Sequence, residues 1–229
     1  MAFLQSQPPR EPFLHAPASV LWLIALLAAI HLVMQVLPEA TADAILLHLA
    51  FIPARYTVGG TLFGLTVPLV GHMLLHGGML HLTVNCVWLL ACGPVVARRY
   101  GTVPFLIFFV VCGVAGALTY LVLEWGSPVP VIGASGGISG LMAAAIRLIR
   151  WPNAPATGPL LPLTSRPILI FGGSWIVLNG LFGVLGFGPG GGDPIAWQAH
   201  LGGFLCGLFL IGLLEKLRRK PSAPPPLRF

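Results

Sequence analysis

Two hydroxyls, Ser135 and Ser139, stand among four glycines in VIGASGGISG, residues 131–140. A serine hydroxyl is a weak nucleophile until a base takes its proton. Histidine is the usual base near neutral pH, and His200 in QAHLGG is the candidate. Attack on a carbonyl leaves negative charge on its oxygen, which donors must meet. The sequence offers the Ser135 backbone N–H at a helix start, the Asn85 amide and the His81 ring. His81 and Asn85 are four apart in HLTVN and share one face of a helix. Glycines 133, 136 and 137 let backbone and substrate approach closely, and Gly133 is placed with the oxyanion site. Nucleophile, base and oxyanion donors are the parts that peptide-bond hydrolysis requires.

The elements that must hold these groups are membrane helices. The chain has 229 residues, 56% hydrophobic and only 8% charged. Soluble domains carry about a quarter charged residues, so this is an all-α integral membrane protein in one bundle. The cysteines Cys86, Cys92, Cys112 and Cys206 lie in apolar runs without a C-x-x-C pair and read as packing residues.

A helix needs about 20 apolar residues to cross the hydrocarbon core. Runs over 19–37, 78–97, 103–123, 135–149, 167–187 and 195–214 give six spans, the fourth of them short. Residues 38–76 are apolar but broken by Pro53, Gly59, Gly60, Pro68 and Gly71, and read as a loop lying in the membrane interface. The expected organisation is a cytoplasmic tail over 1–18, a six-helix core over 19–214 and a basic, proline-rich cytoplasmic tail over 215–229. Six spans put both termini on one side. Eleven of the twelve basic residues then fall on that side, with Arg55 the exception, so the positive-inside rule makes both ends cytoplasmic.

This topology places Ser135, His81, Asn85 and His200 at similar depth near the outer side. Because the fourth span is short, VPVIGA before it is non-helical backbone at membrane depth. Such backbone is tolerated only where protein buries it or water reaches it, so Ser135 borders a wet cavity. Gly136 with Gly140, and Gly203 with Gly207, make G-x-x-x-G faces that let helices four and six approach. That closeness is what brings Ser135 toward His200.

Competing readings fare less well. GASGG fits the G-x-S-x-G elbow of α/β-hydrolases, but that elbow needs a strand before it and a sheet around it. Asp193, in GFGPGGGDP, reads as a solvated loop acid rather than a third catalytic member. His72, His76, His81 and His200 share one side, yet H-E-x-x-H is missing and no acid lies in the histidine segment. No metal or other cofactor is assigned. His76 is expected to hydrogen-bond and steady the first loop, His72 to sit beside it near the interface, and His31 to be structural. Ser139 is assigned to packing or hydrogen bonding. Arg147 and Arg150 are expected to snorkel to the cytoplasmic surface. The terminal KLRRK fits anionic lipid rather than nucleic acid.

Three motifs, HGGMLHLTVN at 76–85, GASG at 133–136 and AHLGGFLCG at 199–207, occur in an order that resembles the rhomboid intramembrane serine proteases. The resemblance covers roughly residues 19–214. It implies an intramembrane endopeptidase with a Ser135–His200 dyad that needs no acid, and His81 and Asn85 in the oxyanion hole. It also implies a transmembrane-protein substrate, a membrane-lying first loop over 38–76, and a fifth helix that gates lateral access together with the GPGGGDP loop. Two departures stand out. Of the Trp-Arg pair some bacterial members carry in the first loop, only Arg55 is present. Where some have an aromatic residue four after the serine, stacked on the catalytic histidine, this chain has Ser139. A catalytically inactive, client-binding relative is the alternative, ranked lower because both serine and histidine are present. A transporter would show internal repeats, and none is seen. The arginine bias and compact form point to a bacterial plasma membrane; the oligomeric state is left open.

Overall fold

A computed structural model describes residues 16–148, 158–186 and 195–218. Their helices are α1 (Ala18–Val36), α2 (Glu39–Leu49), α3 (Arg55–Val58), α4 (Leu62–Thr66), α5 (Pro68–Gly71), α6 (Met79–Tyr100), α7 (Thr102–Leu123), α8 (Ser135–Leu148), α9 (Arg166–Leu185) and α10 (Trp197–Leu217). A 3-10 turn, His72–Leu74, leads from α5 toward α6. Five of these helices, α1, α6, α7, α9 and α10, are long and apolar enough to cross a membrane. At 14 residues, α8 is too short to do so alone: about 21 Å of helix against a core of about 30 Å.

Burial follows from residue size. Ten of the fourteen α8 residues are buried, so α8 is the central helix. It is packed between α7 and α10, with α6 on a further side, α1 outside α6, and α9 against α10 and α8. Without a hydrophobic force between helices in lipid, close packing of small residues has to hold such a centre. A Cβ on Gly203 would collide with the Gly136 carbonyl oxygen, and one on Gly207 with the Gly140 backbone. A Cβ on Gly116 would sit 2.5 Å from the Ala199 carbonyl oxygen. On α1 the buried residues Val20, Leu23, Leu27 and His31 form one stripe, and Val20 packs where Gly93 of α6 leaves room.

The segment expected as an irregular loop is largely helical. Prolines start two of its helices, Pro38 before α2 and Pro68 at the first position of α5, where a missing N–H costs nothing. Thr61 Oγ1 accepts the Gly64 N–H at 3.1 Å and caps α4. Gly59 (φ +75°) separates α3 from α4. This segment then pairs with the chain before α8. Phe51 N–H donates to the Val131 carbonyl at 3.1 Å, Val131 N–H returns the bond at 2.8 Å, and Gly133 N–H donates to the His72 carbonyl at 2.8 Å. The non-helical backbone ahead of Ser135 is thereby satisfied by protein.

At the opposite end, α10 runs past the expected boundary into the basic tail. Glu215 accepts from Arg99 Nε at 2.9 Å, Arg99 Nη2 at 2.8 Å and the Tyr100 hydroxyl at 2.6 Å, which ties α6 to α10. Arg147 is half-buried in the last turn of α8. Its Nη1 donates to the Leu208 carbonyl at 2.5 Å and its Nε to Leu161 O at 3.3 Å, in space that Gly212 leaves open. Arg150, Arg219, Lys220 and Asp193 lie outside the described residues.

The glycine seam gives a direct stability test. Gly203→Ala and Gly207→Ala should each destabilise by about 1–3 kcal/mol through overpacking, read as a lower melting temperature in detergent micelles. Gly173→Ala on α9, where a Cβ meets nothing within 4 Å, should be neutral or stabilising. Equal melting temperatures for all three would show that the seam is not close-packed.

Candidate active site

Ser135 is the first residue of α8, and His200 lies in the first turn of α10. Across the glycine seam, Ser135 Oγ and His200 Nε2 are 2.7 Å apart, a hydrogen bond between residues 65 positions apart in sequence. Both side chains are half-buried. The first-turn N–H groups of α8 have no partner within their own helix, so the Ser135 amide stands at a helix end that favours negative charge.

Gly133 holds φ +122°, a conformation that side chains resist. A Cβ there would lie 2.8 Å from His81 Nε2 and 3.6 Å from Ser135 Oγ. The side of Gly133 left open is therefore bordered by both groups. Its own N–H is spent on the His72 carbonyl, so Gly133 contributes space rather than a hydrogen.

His81 starts α6, and its Nδ1 accepts the Gly77 N–H in a long bond of 3.4 Å. In a neutral imidazole that leaves the proton on Nε2, the nitrogen facing Gly133. Asn85, buried one turn on, gives one amide hydrogen to the His81 carbonyl at 3.1 Å and keeps a second.

His76 does not act as expected. Neither ring nitrogen has a hydrogen-bond partner among the described residues. The ring packs edge-on against His81, centroids 5.2 Å apart at 67°. The reason lies in the turn before α6: its Gly77 amide is already taken by His81, so His81 rather than His76 steadies it. His31 is buried and lines a cavity of about 160 Å³ with His76, Gln35 and Asp43. His72 is buried within the protein. Its Nδ1–H donates to the Pro68 carbonyl at 2.8 Å and its own carbonyl holds Gly133.

Ser139 Oγ donates to the Ser135 carbonyl at 2.7 Å and so turns back on its own helix. Gly136 and Gly203 touch backbone to backbone and set the approach of α8 to α10. Gln198 Nε2 donates to Glu124 Oε1 at 2.6 Å and ties the start of α10 to the end of α7. No group of three or more His, Cys, Asp or Glu able to hold a metal ion occurs among the described residues.

Sequence reasoning missed two groups on α9. Asn179 Oδ1 lies 2.8 Å from His200 Nδ1, and the Trp175 ring is 6.4 Å from the His200 ring, tilted 43°. With Ser139 turned away, the contacts on the His200 ring come from this side. The signal was present in SWIVLNG: a polar amide inside an apolar span is costly and defaults to a functional reading.

The chain is similar to known proteins over much of its helical core. The model of the Rhomboid domain matches residues 63–216. The chain is 29% identical over 145 residues to rhomboid-like protease 3 of Toxoplasma gondii, covering 63% of this chain and 50% of that protein. It is 28% identical over 143 residues to rhomboid protease GlpG of Serratia proteamaculans, covering 62% and 45%. To rhomboid protease GluP of Bacillus subtilis it is 36% identical over 74 residues, 32% of this chain and 14% of that one. The chain thus spans half or less of the length of these relatives. The domain match takes in every group described around Ser135, and with five apolar helices beside it, this multi-pass membrane protein belongs to the rhomboid family.

Proposed function

We propose that the chain is an intramembrane serine endopeptidase that cuts other membrane proteins in or beside their transmembrane segments. The observation that carries this reading is the 2.7 Å bond between Ser135 Oγ and His200 Nε2. The Ser135 hydroxyl donates to Nε2 and gives up its proton as Oγ attacks the scissile carbonyl carbon. The carbonyl π pair moves to oxygen, where the Ser135 N–H, the free Asn85 amide hydrogen and His81 Nε2–H are the donors. Collapse re-forms the carbonyl and breaks the C–N bond, and the His200 imidazolium gives its proton to the leaving amine. The acyl-enzyme is then hydrolysed by water, with His200 again as base. A protease reads extended backbone, so the preferred substrate segment is one whose helix is locally weak.

In the membrane, the six helices α1 and α6–α10 are proposed to cross or enter the bilayer with both termini cytoplasmic. Arg98, Arg99, Arg147, Arg166, Lys216 and Arg218 cluster at the helix ends away from Ser135, which supports that orientation under the positive-inside rule. A bacterial plasma membrane is the proposed location.

Two experiments test the reading. Purified wild type in liposomes should cut a transmembrane reporter and be labelled at Ser135 by a serine-directed probe. Ser135→Ala and His200→Ala should each lose about 10⁴-fold or more in kcat. Cleavage by Ser135→Ala at the wild-type rate would sink the proposal. A wild type that neither cuts nor labels would make the chain a client-binding relative instead. Separately, Gly133→Ala should lower kcat about 10²-fold, because its Cβ meets the His81 ring and displaces an oxyanion donor. An unchanged kcat for this variant would remove His81 from the oxyanion site.

A further inference from the structure

We propose that Asn179 is a positioning residue that sets the proton of His200, so that the base is completed only when α9 is docked against α10. The proposal rests on the Ser135–His200 reading above and adds a third member from a different helix.

The amide orientation is fixed first. Asn179 Nδ2 donates to the Trp175 carbonyl at 3.1 Å, and only the nitrogen end of the amide has hydrogens to give. Oδ1 is left facing His200 Nδ1 at 2.8 Å. An amide oxygen only accepts, so Nδ1 must carry the hydrogen. Neutral imidazole has one N–H. Nε2 is therefore bare, and it is the nitrogen 2.7 Å from Ser135 Oγ. The hydrogen bond at one ring nitrogen thus decides that the other can act as a base.

Helical register supports the pairing. Trp175 and Asn179 are four apart on one face of α9, and His200 and Phe204 are four apart on one face of α10. Trp175 stacks on Phe204, centroids 4.5 Å apart at 13°, while Asn179 meets His200 one turn away. The aromatic stack fixes the axial register in which the amide reaches the ring. Asn179 is neutral, so its contribution is orientation rather than a charge that stabilises the imidazolium.

The consequence comes from where Asn179 sits. Only 11% of the most apolar stretch of α9 is buried, against 44% in α10. Ser135 and His200 stand on helices sealed by the glycine seam, but the group that orients the base rides on the least buried of the long helices. Displacement of α9 removes that acceptor and releases the His200 ring to either tautomer.

The test uses the full chain in lipid nanodiscs. Asn179→Leu keeps the side-chain shape and removes the acceptor; Asn179→Asp keeps an acceptor. Asn179→Leu should lower kcat about 10- to 100-fold with KM within about twofold, and Asn179→Asp should recover most of the loss. In ¹⁵N spectra of histidine-labelled protein, with His200→Ala identifying the signal, wild-type His200 should be the Nδ1–H tautomer. Asn179→Leu should show a mixture. An Asn179→Leu kcat within about twofold of wild type, a change in KM alone, or equal losses in the Leu and Asp variants would overturn the proposal. So would a wild-type His200 protonated on Nε2. That spectrum needs no Asn179 variant to fold and no reporter to be cut, so it separates failure of this proposal from failure of the protease reading.

Discussion

The contact on which the site depends is the backbone-to-backbone approach of α8 and α10 at Gly136 with Gly203 and Gly140 with Gly207. In lipid there is little hydrophobic gain from pressing helices together, so proximity must come from shape. Four missing side chains provide it. The 2.7 Å reach between a hydroxyl and an imidazole, both short side chains, exists only because the two backbones touch near the same depth. A larger residue at Gly203 would part the helices by more than the Ser135 hydroxyl could bridge.

A second constraint follows from the first. Placing Ser135 at the start of a short central helix leaves the preceding chain non-helical, and on the proposed topology it lies at membrane depth, where unpaired N–H and C=O groups are costly. The segment between α1 and α6 resolves this. Phe51 pairs with Val131 in both directions, and His72 accepts from Gly133. The same bonds fix Gly133 at φ +122°, which turns its open side toward His81 and Ser135. These bonds tie the segment over 38–76 to the chain before α8. They complete the hydrogen bonding of the strand-like entrance to α8 and so set the geometry of the oxyanion side.

Much of this was legible in the sequence because it is written in residue types that are rare in lipid. Hydroxyl, imidazole and amide groups at membrane depth announce themselves, and the G-x-x-x-G spacing shows which faces can meet. The helix limits were readable from apolar length to within a few residues; α6 and α10 run on because Arg99, Tyr100 and Glu215 satisfy one another inside the bundle. The failures have a common physical origin. His76 was assigned by residue type, but whether its ring nitrogens find partners depends on which groups the surrounding turn leaves free, and that is a property of the turn rather than of the residue. Asn179 was overlooked because it stands alone in an apolar helix, without the clustering that marked the other groups. Its partner is 21 positions away on a helix whose register no local pattern encodes.

The site joins two kinds of packing. Ser135 and His200 are held by α8 and α10, whose backbones meet at the paired glycines. The oxyanion side is held by α6 through His81 and Asn85, with the turn at Gly77 bonded to the His81 ring. The remaining wall is α9, which meets the centre through Trp175, Asn179 and Gly172 and turns most of its surface outward. On the proposed reading, a transmembrane substrate would come to Ser135 through a breach in this ring. Opening the α8–α10 seam would separate Ser135 from His200, and opening the α6 side would carry off the oxyanion donors. Of α6, α8, α9 and α10, it is α9 whose displacement would leave Ser135, His200, His81 and Asn85 in their mutual positions. The price of that route is loss of the contact to His200 Nδ1 while the wall is open, so a breach at α9 leaves the nucleophile in place with its base unoriented until the helix returns.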